Sequence, residues 1–598
     1  MNQELFQEYE KFLNHDQKRL TEIKRQIKQL AFLRFFAFAA IILSLIYLPR
    51  ISSWLAYSVA TGCTILFFIW IKKFIKKEKE KLLFTNLVEI NQKELVALGE
   101  EYGQFEDGNE FIDPQHRFTF DLDIFGKGSL FQFINRTVTQ LGRKQLASFL
   151  STHETDLTKL EKRTQALLEL AKVTRWRQLF SAKGHTKDEQ DLILLEKITS
   201  KVEIKNTTRL RRLTLILPTI SLSFVLICWL TNLPWILLLF TLIINGFVLW
   251  ANRKTTQSFF DLFGSQSNLL ANYKELLTLI EEERFETTLL IDLKKQLFTN
   301  DQTASKTLSQ LQKIMAQFDY GKNMLLGPIF NAFLLWDLKC CLQLHQWQTE
   351  NASSFSHWFE TIAEFDALSS LANLSHNHPE WTLPKFEAGE FHLTTNDLKH
   401  PLIKSAKCIG NNFRLNGDGQ IAIITGANMA GKSTFLRTIG VNMILAMNGC
   451  RVDASWFSMK PLQLFTNMRT TDNLKNDESY FFAELQRLKA ILDELRAGNQ
   501  TFVIIDEMLK GTNSEDKLSG SIKLIEQLIS LQAVGLVATH DLKLTELAKK
   551  YPHNISNQCF EIQLNEDELI FDYKLAAGVT TTMNANFLMK KMGIIPEN

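Results

Sequence analysis

Residues 426 to 433 read Gly426-Ala427-Asn428-Met429-Ala430-Gly431-Lys432-Ser433, directly after the apolar run Ile421-Ala422-Ile423-Ile424-Thr425 and before Thr434. A G-x-x-x-x-G-K-[ST] pattern between a strand and a helix is a phosphate cradle. Its glycines let backbone N–H groups close round a polyphosphate, and the helix N-terminus adds the positive end of its dipole. Lys432 then reaches the outer phosphates and Ser433 is placed to hold Mg²⁺. Further along, Thr501-Phe502-Val503-Ile504-Ile505 reads as a buried strand ending in Asp506-Glu507. An acidic pair at a strand's carboxyl end, beside a phosphate loop, suits metal binding by Asp506 and activation of water by Glu507. A further strand, Gly535-Leu536-Val537-Ala538-Thr539, ends at His540, in position to sense the outer phosphate. A lone histidine at a strand end is more often structural, so its role hangs on the other groups.

These groups need a framework to bring them together. From about residue 385 short apolar strands alternate with Gly, Asn and Asp turns and then with helices, the pattern of an α/β nucleotide-binding domain over 385–598. Residues 82–212 and 255–380 carry apolar residues three and four apart and read as two parts of one helical core. At 598 residues the chain is too long for a single core. A net charge of +2 provides no global basic field of the kind that advertises a nucleic-acid partner. The seven cysteines lack zinc-ligand spacing and read as reduced.

Four apolar stretches alter the class of the protein. Residues 31–48 and 52–71 are separated by Pro49-Arg50-Ile51, and residues 213–230 and 233–251 by a turn around Asn232 and Pro234. Each is close to the roughly 20 residues that cross a hydrocarbon core. Lys18, Arg19, Lys24, Arg25 and Lys28 precede the first pair, and Lys72, Lys73, Lys76, Lys77 and Lys79 follow it. Lys205, Arg209, Arg211, Arg212, Arg253 and Lys254 bracket the second, while the tight loops hold only Arg50. By the positive-inside rule this predicts a basic N-terminal helix over 1–30 and transmembrane hairpins over 31–71 and 213–251. All large segments are then cytoplasmic, in a multi-pass protein of the cell (inner) membrane with the lipid bilayer as a partner. Buried helices of a soluble protein would explain the lengths but not the basic flanks. A shorter apolar run, 324–336, contains Gly327, Pro328 and Asn331 and reads as a buried or interfacial helix.

Three pieces resemble the MutS family of DNA mismatch-repair ATPases: residues 424–434, Asp506-Glu507-Met508-Leu509-Lys510-Gly511-Thr512-Asn513, and Ala538-Thr539-His540. Asn428-Met429 inside the phosphate loop separates this family from most others that share the motif. His400-Pro401 looks like the His-Pro that opens the family's ATPase domain, and Ser479-Tyr480-Phe481-Phe482-Ala483-Glu484 is similar to its signature segment. Residues 130–143 and 362–368 look like the opening and close of its helical core, so the likeness covers most of 129–595. The resemblance implies an α/β phosphate-loop ATPase domain of MutS type, preceded by an all-α core that here carries two transmembrane helical hairpins. It also implies ATP bound by Gly426, Ala427, Asn428, Met429, Ala430, Gly431, Lys432, Ser433 and Thr434, with Mg²⁺ on Ser433 and Asp506. Catalysis then falls to Glu507, His540 and Ser479. Because the signature serine reaches the opposite subunit's nucleotide, a homodimer with composite sites is expected.

The chain also departs from that pattern. Leu509-Lys510 stand where the family usually has Gly-Arg, and Ala430 where it has Gly. Before residue 129 there is no room for the family's mismatch-reading and connector domains. Phe6-Gln7-Glu8 and Phe482-Ala483-Glu484 are coincidental matches to its Phe-x-Glu wedge. No dimerisation tail is expected before the end at Asn598. Leu518-Ser519-Gly520 looks like a transporter signature, but it follows the Asp-Glu strand and reads as the helix after the loop 511–516. Two functions therefore stand side by side. One is a membrane-anchored, dimeric, ATP-dependent DNA-binding protein related to mismatch repair. The other is an ATP-driven membrane machine that binds no DNA, for which Ser58, Thr61, Thr64, Ser221, Ser223, Thr241 and Asn245 supply compatible intramembrane polar groups.

Overall fold

The computed structural model describes residues 3–580 except 153, 186–195, 197, 199, 201–203, 205, 232–235, 264–266, 300–301, 322, 428, 470–479 and 566–567. Six strands build the central sheet of the C-terminal domain: β1 (Ile421–Gly426), β2 (Gln463–Asn467), β3 (Thr501–Asp506), β4 (Val534–Thr539), β5 (Ile555–Asn565) and β6 (Glu568–Ala577). They lie in the order β6-β5-β1-β4-β3-β2, with β5, β1, β4, β3 and β2 mutually parallel and β6 antiparallel at the edge. Every residue of β1, β3 and β4 is buried, which is why these strands read as unbroken apolar runs and not as alternating ones. The order makes β1, β4 and β3 neighbours, so Gly426, Thr539 and Asp506 end side by side on one edge. That edge is where open parallel sheets place their ligands. A four-stranded sheet that includes His392–Leu398 and Asn411–Asn416 accompanies it. Leu518-Ser519-Gly520 lies inside helix Ser514–Ser530, as expected.

The N-terminal region begins with two very long helices, α1 (Gln3–Tyr47) and α2 (Ser53–Leu98), joined by a short turn at Leu48–Arg50. The sequence divides this region at residues 30 and 71, but the structure does not. Neither proline nor glycine interrupts α1, so the basic segment and the apolar one form one continuous rod. The polar halves of both helices form a stalk seated on the core. There the Tyr9 hydroxyl donates to Asn377 Oδ1 at 2.9 Å, and Arg175 grips the fully buried Asp16 carboxylate through two nitrogens at 2.8 and 2.7 Å. The buried Glu94 accepts from Arg136, Asn373 and Asn377. Asn373 and Asn377 close the 42-residue helix α5 (Trp336–Asn377), which runs directly into the sheet domain.

Among the described residues three helices are long and apolar enough to cross a membrane, Gln3–Arg50, Ser53–Leu98 and Thr207–Thr231, and a shorter apolar helix covers Leu238–Ala251. Their outer faces are exposed, Trp54 by 85%. In the second pair, α3 (Thr207–Thr231) and α4 (Ile236–Ala251), Asn245 Nδ2 donates to Ser221 Oγ at 3.1 Å and to the Ala332 carbonyl at 2.6 Å. Ser58, Thr61, Thr64 and Thr241 bond instead to carbonyls of their own helices. The apolar run 324–336 forms helix Leu326–Leu334 against this pair, with Met324 91% exposed. Leu325, Leu326 and Ile329 are exposed as well, so of the two placements read for this run burial does not hold.

Residues 99–129, expected within the helical core, contain no α-helix. Glycines break the pattern: Gly108 has φ +66°, and a Cβ there would meet the Phe131 ring at 2.7 Å. The segment instead buries Phe118, Leu122 and Ile124 and straps the stalk to the sheet domain.

Candidate nucleotide-binding site

The phosphate loop needs its glycines. A Cβ on Gly426 would meet the Phe560 carbonyl oxygen at 3.0 Å, and Gly431, at φ +107°, faces the Tyr573 ring at 3.2 Å. Ala430 is buried in the core cluster with Phe435 and Phe560, so its extra methyl is accommodated. Met429 projects outward at φ +71°, while Thr434 is exposed on the first turn of the following helix, Lys432–Met447. The buried Lys432 ammonium donates to the carbonyls of Gly426 at 2.7 Å and Ala427 at 3.0 Å. Burial pushes its pKa down, against the pull of Glu507 and Asp506.

Beyond β3 the acidic pair divides its contacts. Asp506 accepts a hydrogen bond from Ser433 Oγ. Burial raises the Asp506 pKa, and the Ser433 bond opposes it. Glu507 turns into the left-handed region at φ +54°, its N–H donating to the Ala538 carbonyl at 3.0 Å. Its carboxylate lies 3.3 Å from His540 Nδ1. Lys432, Ser433, Asp506, Glu507 and His540 are thus gathered at the ends of β1, β3 and β4. Asn428 and Ser479 lie outside the described residues. The donor set fits a magnesium nucleotide: a cradle that a Cβ would fill, a buried ammonium and a hard hydroxyl–carboxylate pair.

Two supporting groups escape a sequence reading. Glu484 is buried, and its carboxylate accepts from the backbone N–H groups of Leu509 at 2.5 Å and Lys510 at 3.0 Å. It therefore fixes the loop behind Glu507, where Leu509 is itself left-handed at φ +56°. The only sequence signal was its place at the end of the signature-like segment. Asp121, on the strap, is fully buried and accepts from Thr466 Oγ1 at 2.6 Å and from the N–H groups of Met468 and Arg469 at 3.1 and 2.9 Å. Asp123 adds a two-nitrogen grip on Arg469 at 2.6 and 2.9 Å.

Comparison with known proteins meets this geometry. The family model for MutS domain V matches residues 422–597, the stretch that supplies the phosphate loop, the acidic pair and His540. This part of the chain is a MutS domain V. The chain is 32% identical over 249 residues to MutS protein homolog 4 of Homo sapiens, covering 40% of this chain and 26% of that protein. It is 32% identical over 225 residues to DNA mismatch repair protein MutS of Thermotoga maritima, covering 37% and 27%. DNA mismatch repair protein MutS 2 of Halobacterium salinarum is 30% identical over 224 residues, covering 37% and 25%. The chain therefore spans about a quarter of the length of these MutS relatives. Where the MutS pattern has Gly-Arg, this chain's buried Leu509 and neighbouring Lys510 keep their backbone N–H groups on Glu484.

Proposed function

We propose that this chain is a membrane-anchored MutS-type ATPase that works as a homodimer and couples ATP turnover to DNA binding. The observation that carries the ATPase part is the convergence of Lys432, the Ser433–Asp506 pair and the Glu507–His540 pair at adjoining strand ends. Lys432 and the loop amides hold the phosphates, and Ser433 and Asp506 offer oxygens to Mg²⁺, which when bound neutralises charge on the phosphates. Glu507 takes a proton from the attacking water, and His540 orients the Glu507 carboxylate and reads the outer phosphate. Ser479 acts in trans on the second copy's nucleotide, by the family likeness. The anchoring reading draws on the long apolar helices and their basic flanks. The DNA reading draws on relatives named as DNA mismatch repair proteins.

A second reading, an ATP-driven membrane machine without DNA, is favoured by the strap. Asp121 and Asp123 link the end of the first hairpin to the chain just ahead of residues 470–479. One titration separates the two readings. The purified protein and its Glu507→Gln form are mixed with homoduplex, mismatched and four-way-junction DNA across a salt series. DNA binding that weakens with salt and alters ATP turnover supports the first reading. Turnover that ignores every DNA but depends on lipid or on the hairpins overturns it in favour of the second.

A further inference from the structure

We infer that the base of the second hairpin is a binding site for the phosphodiester headgroup of an anionic phospholipid, an inference that rests on the anchoring reading above. Between the start of α3 and the long helix α5 lies a cavity of about 540 Å³, lined by Arg211 from α3 and Lys339 from α5. Both are exposed, and among the described residues neither has an ion-pair partner. Thr207 and Gln343 add a hydroxyl and an amide to the lining. Glu350, its one carboxylate, accepts from Gln346 Nε2 at 2.9 Å. Two cations with polar neighbours and a single carboxylate leave the cavity suited to a singly charged phosphodiester.

Depth along the hairpin supplies the second argument. Ser221, bonded to Asn245, is central in the apolar stretch, and Arg211 precedes it by ten residues, or about 15 Å of helix at 1.5 Å per residue. That is about half of a hydrocarbon core of about 30 Å, so the cavity falls at headgroup level when the Ser221–Asn245 contact lies at the midplane. Leu215, which also lines the cavity, is 63% exposed on the tail side, where acyl chains would run. The Leu326–Leu334 helix, tied in by the Ala332 carbonyl, shields the same hairpin with its own apolar face toward lipid. A cationic cavity opening onto apolar surface matches a lipid, whose charge and tails are joined, better than a free anion.

The test uses the full chain in nanodiscs of phosphatidylcholine with increasing phosphatidylglycerol, and native mass spectrometry counts retained phosphatidylglycerol. Arg211→Gln with Lys339→Gln should weaken retention about tenfold. Arg253→Gln with Lys254→Gln, an equal charge loss outside the cavity, should change it less than threefold. Glu350→Gln should strengthen retention, a gain that misfolding cannot imitate. Millimolar inorganic phosphate should leave retention unchanged, and displacement by it would mean a free-phosphate site and overturn the lipid assignment. Equal losses in the two double variants, or no gain with Glu350→Gln, would reduce the effect to general surface charge and also overturn it. A chain that fails to enter nanodiscs at all would instead sink the anchoring reading, a distinguishable failure.

Discussion

Asp121 Oδ2 lies 2.6 Å from Thr466 Oγ1, though 345 residues separate them in the chain. The bond joins the strap that leaves the first hairpin to the end of β2. The same buried carboxylate serves the Met468 and Arg469 N–H groups and lies 3.3 Å from Arg487. Asp121→Ala would leave these donors without an acceptor and a guanidinium without its counter-charge. The expected loss is about 3–5 kcal/mol of unfolding free energy, read from urea denaturation of the detergent-solubilised protein. Asp121→Asn keeps an acceptor and should lose less. Equal losses for the two would contradict the acceptor argument and leave the lost counter-charge to Arg487 as the whole effect.

At the nucleotide site the variants should separate binding from turnover. Glu507→Gln keeps the shape of the pair with His540 but removes the proton acceptor, so ATP turnover should fall about a hundredfold or more while nucleotide affinity changes little. Lys432→Ala removes the ammonium at the loop and should abolish measurable nucleotide binding. Ser433→Ala, which takes away the hydroxyl paired with Asp506, should raise the Mg²⁺ concentration needed for half-maximal activity. Turnover by Glu507→Gln at the wild-type rate would place the general base elsewhere.

Glu484 offers a different signature, because it touches the loop behind the acidic pair without lining the phosphate loop. Its loss should cost about 1–3 kcal/mol through the unsatisfied Leu509 and Lys510 N–H groups. Released from that hold, Glu507 should become less well oriented, lowering kcat by about tenfold with little change in KM. Glu484→Gln retains an acceptor oxygen and should recover most of the stability. Should Glu484→Ala raise KM and leave kcat intact, the loop-holding role would be wrong.

How far the sequence could be read follows from where the chemistry is stored. Lys432 and Ser433 are neighbours on one motif, Asp506 and Glu507 neighbours on another, and buried parallel strands are legible as unbroken apolar runs. Glu484 works on a loop 25 residues away, and Asp121 works across hundreds, so neither leaves a local pattern. The stalk was hidden for another reason. A change from polar to apolar residues looks like a boundary, yet helix geometry is indifferent to side-chain polarity when no proline or glycine intervenes, and α1 runs straight through it. Conversely, 99–129 is expected within the helical core, yet its glycines, with Gly108, Gly126 and Gly128 at positive φ, turn it into a strap.

Asp453 gives the stability of the sheet domain a predictable pH dependence. Burial pushes its pKa up to about 6, with Lys399 and His378 pulling the other way. Its N–H donates to Asn442 Oδ1 and its carbonyl accepts from Lys399, so the backbone is pinned whatever the carboxyl's charge. The folded value exceeds the unfolded one of about 3.8, so the folded state holds this proton more tightly. The contribution to stability is fully present below pH 3.8 and is lost as pH rises through about 6. Asp453→Asn, permanently uncharged, should therefore be more stable than wild type above pH 7, by about 1–2 kcal/mol, with the advantage shrinking toward pH 4. Denaturation midpoints of both proteins between pH 4 and 8 measure this directly, and an advantage that grows on acidification would mean that the charged carboxylate is the stabilising form.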